Sequence, residues 1–396
     1  MSPTANQSAP ERAEPGAKIP PQDFTPHTMG RSFLHSVIRY DDGQKWGRNL
    51  AVYSISVAVT YGAMALAAWI SPHYPPPKLP LIRDWAVAFA FWISFPAILF
   101  FVASDQDALK RAMSRVETAG IVMSSKELAQ SFKRKWEVWF RTCNIVIQIL
   151  AFLLALPLSY LTYWGYKTYG ANTWAQATAL NSYAYMWSIA LFYIVLIIYI
   201  GRGAALAIQL KGVASVWEIK LNPVHPDGCG GLRPLGRIGL RNQYALTILG
   251  INIAVLAATI NHIDHINHIK PSLLPVIIIP AVAIYVVFGP IIFLGPLLPF
   301  RRVMGDQRRA LMQEIAEPLD SKFDSLKAQA RDRQDIDKNE LEALDRLRLI
   351  GKTASDLPIW PFDLRTMRLF ATAYVAPVLV AAATKLADVI VEHSMN

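Results

Sequence analysis

An all-α, polytopic membrane fold is what this sequence predicts, and three observations carry the prediction. Charged residues make up 17% of the chain while 53% are hydrophobic, against about 25% charged in an ordinary soluble domain. The deficit is concentrated in seven apolar stretches, each close to the ~20 residues that a helix needs to cross a hydrocarbon core. Lys and Arg fall mainly in alternate connecting segments, which is the pattern of positive-inside topology.

The first 30 residues, rich in Pro, Ala, Ser and charge, contain no apolar core of a signal peptide and read as a disordered cytoplasmic tail. Residues 31–48, RSFLHSVIRYDDGQKWGR, mix aromatic and basic side chains and suit the membrane interface. Candidate spans follow at 49–71, 84–104, 143–165, 182–201, 243–261, 273–299 and 366–387. Trp85 opens the second, and Tyr183, Tyr185 and Trp187 mark the mouth of the fourth, as interfacial aromatic anchors do. Of the 39 basic residues, 34 lie on the side of the N-terminus and the segments 105–142, 202–242 and 300–368. This asymmetry puts those segments in the cytoplasm and the C-terminus outside, in a bacterial-type inner (plasma) membrane. Six spans thus occupy 49–300, and the last shares 358–396 with a proline elbow and a short external tail.

The cytoplasmic segments differ in kind. In 105–142, Leu128, Phe132, Trp136 and Trp139 recur at helical spacing among Lys133, Arg134, Lys135 and Arg141, which predicts an amphipathic helix against headgroups. The net charge of +10 is explained by the topology, and no stacking platform for nucleic acid is present. Residues 301–357 predict a helical hairpin. Leu319, Phe323, Leu326 and Ala330 form one stripe, Leu341, Leu344 and Leu347 another, and Asp335, Asp337 and Asn339 supply the break and cap. Partner binding or self-association through 301–350 is the functional expectation for this arm, with a solvated stalk as the plain alternative. In DLPIWPFDLRTMRLF, Pro358 and Pro361 end the hairpin, Trp360 anchors at the interface, and Asp363 caps the last span.

Four groups of residues are candidates for chemistry. Gly228, Gly230 and Gly231 in HPDGCGGLRPLG can turn backbone N–H groups toward an anion, with Arg233, Arg237 and Arg241 following; anionic lipid headgroups are the expected ligand. The plain reading is a Pro-Asp-Gly turn using positive φ. His225, Asp227 and Cys229 have ligand and nucleophile chemistry, but neither a paired metal motif nor an orienting partner accompanies them, and GxxxxGK[ST] is absent. In the sixth span, Gly289-Pro290 and Gly295-Pro296 predict kinks that can act as a gating hinge. Outside the membrane, His262, Asp264, His265 and His268 in NHIDHINHIK form a ragged polar stripe with metal-ligand chemistry, or simply an interfacial turn.

The spans themselves contain almost no acidic or basic residues, which speaks against a proton relay. Asn144, Gln148, Thr60, Ser188 and Asn252 are read as interhelical hydrogen-bonding groups. Cys143 and Cys229 fall in a span and a loop, so no disulfide framework is implied. The expectation is therefore a non-enzymatic, cofactor-free membrane module whose basic cytoplasmic face meets lipids or protein partners. A channel or small-solute transporter gated at the sixth span is the alternative.

Overall fold

The computed structural model describes residues 45–71, 76–123, 126–168, 173–216, 218–222, 225–267, 274–331 and 338–362, together with several positions between 367 and 379. Among the described residues the regular structure is helical apart from one two-residue antiparallel pair and an isolated Leu79–Thr173 bridge. Helix α1 comprises Lys45–Val57, a π-helical turn at Ala58–Gly62 and Ala63–Ile70. Helix α2 comprises Trp85–Phe89, a second π-helical turn at Ala90–Ser94 and Phe95–Thr118. Then come α3 (Lys126–Thr168), α4 (Ala179–Val216), α5 (Arg233–Asn267), α6 (Leu274–Leu294), α7 (Leu298–Arg331) and α8 (Lys338–Ser355). Strands β1 (Val122–Met123) and β2 (Glu218–Ile219) pair after α2 and α4, with Val122 opposite Ile219.

Five of these helices are long and apolar enough to cross a membrane, and the bent pair α6–α7 raises the number to six. The sixth stretch is thus not one continuous span: its axis turns by 46° between Leu294 and Leu298, where Pro296 interrupts the backbone ladder. The seventh, 366–387, lies almost entirely outside the described residues, as do residues 1–44 and the hairpin tip at 332–337.

Packing follows side-chain size. On α3, Ala151, Ala155 and Ser159 recur every four residues, are buried, and let α4 approach closely. On α4, Gly201 leaves room for Ile147 of α3, since a Cβ there would lie 2.8 Å from its side chain. On another face of α3, Ile149, Phe152, Leu153 and Leu156 are exposed. The π-helical turns of α1 and α2 meet edge to face through Tyr61 and Trp92, 5.6 Å between ring centroids. Ser188 of α4 donates its hydroxyl to the Thr60 carbonyl at 3.2 Å, and Thr60 in turn bonds Ser56 O at 2.7 Å.

At one end of the bundle Asp84 caps α2. Its carboxylate accepts from the Val87 N–H and from Trp174 Nε1, both at 3.1 Å. Of the aromatic anchors expected there, Trp85, Tyr183 and Trp187 are exposed, but Tyr185 is buried edge-on against Trp174. Beyond the opposite end, a second apolar core gathers Leu109, Val116, Ile121, Leu210, Leu232 and Met304. Helices α7 and α8 form the hairpin, antiparallel to each other, with α7 extending about 51 Å at 1.5 Å per residue over its 34 residues. Their contact runs through Ile315, Leu326, Gly351 and Ala354, closed by a Gln329–Glu340 hydrogen bond of 2.7 Å. Phe323, expected in the packed stripe, is 58% exposed, and Ala330 and Leu341 are exposed as well.

Candidate functional site: a charged helix junction beneath the glycine loop

Three apolar runs end at the same depth, and each carries a charged residue at that boundary: Asp105 of α2, Arg202 of α4 and Arg241 of α5. The helices continue past these residues, so the charges lie within the bundle. Arg202, only 5% exposed, clasps Asp105 with both faces of its fork, Nε to Oδ2 at 2.7 Å and Nη2 to Oδ1 at 2.8 Å. Such bidentate pairs are the strong, directional kind. Arg241 donates to the Ser104 carbonyl at 3.1 Å, the Phe101 carbonyl at 2.5 Å and the Ser104 hydroxyl at 2.7 Å. Its guanidinium also lies 5.4 Å from the centroid of the Phe101 ring. The next residue, Asn242, accepts from the Tyr199 hydroxyl at 3.4 Å and donates to Ile292 O at 3.1 Å. Four helices are thereby tied at one level. Because a buried charge that loses its partner is costly, the junction holds them in register.

The glycine loop sits above this junction and is closed by its own acid. Asp227 Oδ1 accepts the N–H groups of Cys229 and Gly231, both at 2.9 Å, and Oδ2 accepts that of Arg233 at 3.2 Å. His225 Nδ1 lies 2.9 Å from Oδ1. Burial pushes the Asp227 carboxyl up, but the three backbone N–H groups and His225 outweigh it and hold the carboxyl below its ordinary value. The loop therefore does form an anion nest, and the anion in it is the chain's own carboxylate. The fit depends on glycine at Gly231, where φ is +93° and a Cβ would lie 1.6 Å from Ile121. Gly236 matters for closeness alone: a Cβ there would lie 1.9 Å from the Pro361 carbonyl oxygen.

The surrounding chain is pinned to the same surface. Lys220 N–H donates to Ile121 O, and Leu221 N–H to Gln307 Oε1 of α7, both at 2.8 Å. The WPF elbow is docked on the bundle. Phe362 is buried 5.9 Å from Phe293, Trp360 stacks on Phe362 at 5.3 Å, and Arg301 sits 4.8 Å over Trp360.

The candidate residues thus separate. Gly228, Gly230 and Gly231 have positive φ, as an anion nest requires, and Arg233 and Arg237 are exposed beside them. Arg241 faces α2, where its guanidinium bonds Ser104 and Phe101. Gly295 and Pro296 fall at the bend of α6–α7, whereas Gly289 and Pro290 lie inside α6 about a turn before it. His262 is exposed on α5, the side chains of Asp264 and His265 lie outside the described residues, and so does His268 entirely. Among the described residues no group of three or more His, Cys, Asp or Glu is arranged to hold a metal ion. The Asp105–Arg202–Arg241 junction escapes a sequence reading that ends each span at its first charge. The available signal is one acid and two arginines at matching depths of three neighbouring runs.

No protein-family model matches the chain, and neither a curated protein nor a solved structure does.

Proposed function

We propose that the chain is a multipass, non-enzymatic membrane module whose basic end lies in the cytoplasm against anionic headgroups. The observation that carries this reading is the banding of the surface. Apolar side chains such as Ile149, Phe152, Leu153 and Leu156 stand exposed around the middle of the bundle, far beyond what a soluble monomer tolerates. Trp69, Trp85, Trp164, Tyr183 and Trp187 rim one end, as in an aromatic belt. Lys110, Arg115, Lys211, Arg233, Arg237, Arg301 and Arg302 are exposed at the other, where anionic lipids attract each basic residue by about 1 kcal/mol. Between Asp84 and Asp105, the 21 residues Trp85–Asp105 span about 31 Å as a helix, matching a hydrocarbon core.

The hairpin is then a cytoplasmic arm for a protein partner, joined to the bundle through α7. The test of the lipid reading is thermal unfolding in detergent with added phosphatidylglycerol or phosphatidylcholine. Phosphatidylglycerol is expected to stabilise selectively, and Arg233→Gln with Arg237→Gln to remove most of that difference. Equal stabilisation by both lipids contradicts the reading. A small-solute path gated at α6–α7 draws support from the 46° bend. Flux through proteoliposomes that changes in Pro290→Ala/Pro296→Ala would favour that reading instead.

A further inference from the structure

Pro290 and Pro296 each lack the N–H that would bond the carbonyl four residues earlier. The carbonyls of Val286 and Ile292 therefore lack their helical donor. Both are answered from outside the helix. The Tyr374 hydroxyl donates to Val286 O at 2.6 Å, and Asn242 Nδ2 donates to Ile292 O at 3.1 Å. The fit around Tyr374 is steric as well. Its ring stacks on Tyr285 at 5.0 Å, over Gly289, where a Cβ would lie 2.4 Å from it. Immediately past Ile292 the chain turns by 46° into α7.

We propose that Asn242 is the latch of a conformational device at this bend. Its amide replaces the N–H missing at Pro296 and so fixes the angle at which α7, and with it the hairpin, leaves the bundle. Tyr374 acts likewise at Pro290 and docks the helical residues 374–376 onto α6. A carbonyl freed by proline can be filled by any donor, which makes such a joint two-state: bound to the side chain, or released to water and free to bend. Asn242 directly follows Arg241, whose guanidinium grips α2, and its own carbonyl receives the Tyr199 hydroxyl. Movement at the charged junction is in this way passed by two consecutive residues to the base of the hairpin. The device connects the membrane-embedded part of the chain to its longest projecting arm, and it operates whether or not a solute passes through the bundle.

The test is a pulsed electron–electron distance measurement on purified full-length protein carrying Cys143→Ala and Cys229→Ala, with nitroxides at Val287→Cys and Met312→Cys. Both label positions are exposed and flank the bend. One distance population is expected, and Asn242→Leu should add a second. Pro296→Ala restores the missing N–H, so in that background Asn242→Leu should add none. An unchanged distribution in Asn242→Leu overturns the proposal, as does a second population that appears equally in the Pro296→Ala background. If Asn242→Leu alone yields no folded protein, the pair with Pro296→Ala decides: recovery of monodisperse protein supports the latch, and continued failure overturns it.

Discussion

Replacing Asp227 with alanine empties a nest that three N–H groups have been folded to fill. Two of these, from Cys229 and Gly231, belong to buried residues, whereas that of Arg233 is exposed and can turn to water. Leaving two buried donors unsatisfied at ~1–2 kcal/mol each gives a local loss of about 2–4 kcal/mol. Asparagine costs less, because both buried N–H groups converge on Oδ1 alone and an amide oxygen can still accept them; losing the Oδ2 contact costs about 1 kcal/mol. The reporter is already present. Cys229, 4% exposed, is held by this loop, so a membrane-permeant thiol reagent reads loop opening directly in a Cys143→Ala background. At tenfold per 1.4 kcal/mol, Asp227→Ala should label roughly 30- to 700-fold faster than the parent and Asp227→Asn about fivefold faster. Equal rates in all three proteins would refute the view that the carboxylate closes the loop, and an Asn variant as fast as Ala would refute the assignment of both buried N–H groups to one oxygen.

Three further outcomes follow from the same geometry. The Asp227 carboxyl is held below its ordinary value, so its contribution is complete above about pH 4, the unfolded value. It is lost as pH falls through the lower folded value. The stability gap between wild type and Asp227→Asn, measured by thermal unfolding, should be flat from pH 8 to 5 and shrink only below that point; a gap that closes near neutrality would contradict it. Arg202→Met strands the Asp105 carboxylate and should cost about 3 kcal/mol, most of it recovered in Arg202→Met/Asp105→Leu, since replacing both members of a buried pair is far milder than removing one. Gly236→Ala drives a Cβ onto the Pro361 carbonyl and should lower the unfolding temperature strongly, while Gly228→Ala, with nothing within 4 Å, pays only the ~1–2 kcal/mol of its positive φ.

The long apolar helices were legible because hydropathy reports apolar composition directly, and 49–71, 84–104 and 143–165 agree closely with the helices found. Their ends were not legible. Helix α4 runs on to Val216 and α5 begins at Arg233, because a polar residue ends an apolar run without ending a helix. The junction was hidden by that conflation. In the loop, the residue types mark a turn in sequence, but which group fills the nest is not visible there; Asp227, two residues before Cys229, is placed as Asx turns place an acid. The hairpin register at Phe323 is ambiguous in sequence because two short heptad-like stretches fit more than one face, and Ile315 with Gly351 make the contact instead. The π-helical turns at Ala58–Gly62 and Ala90–Ser94 leave no pattern in sequence, since they arise from how two helices fit each other.

Banding of the surface into an apolar girdle between an aromatic and a basic end is the central claim, and single-cysteine accessibility tests it most directly. In intact cells and inverted vesicles, a membrane-impermeant maleimide should reach Ile82→Cys only from outside and Lys211→Cys only from the cytoplasmic side, and Leu153→Cys from neither. Labelling of Ile82→Cys and Lys211→Cys from the same side, or ready aqueous labelling of Leu153→Cys, would contradict the account.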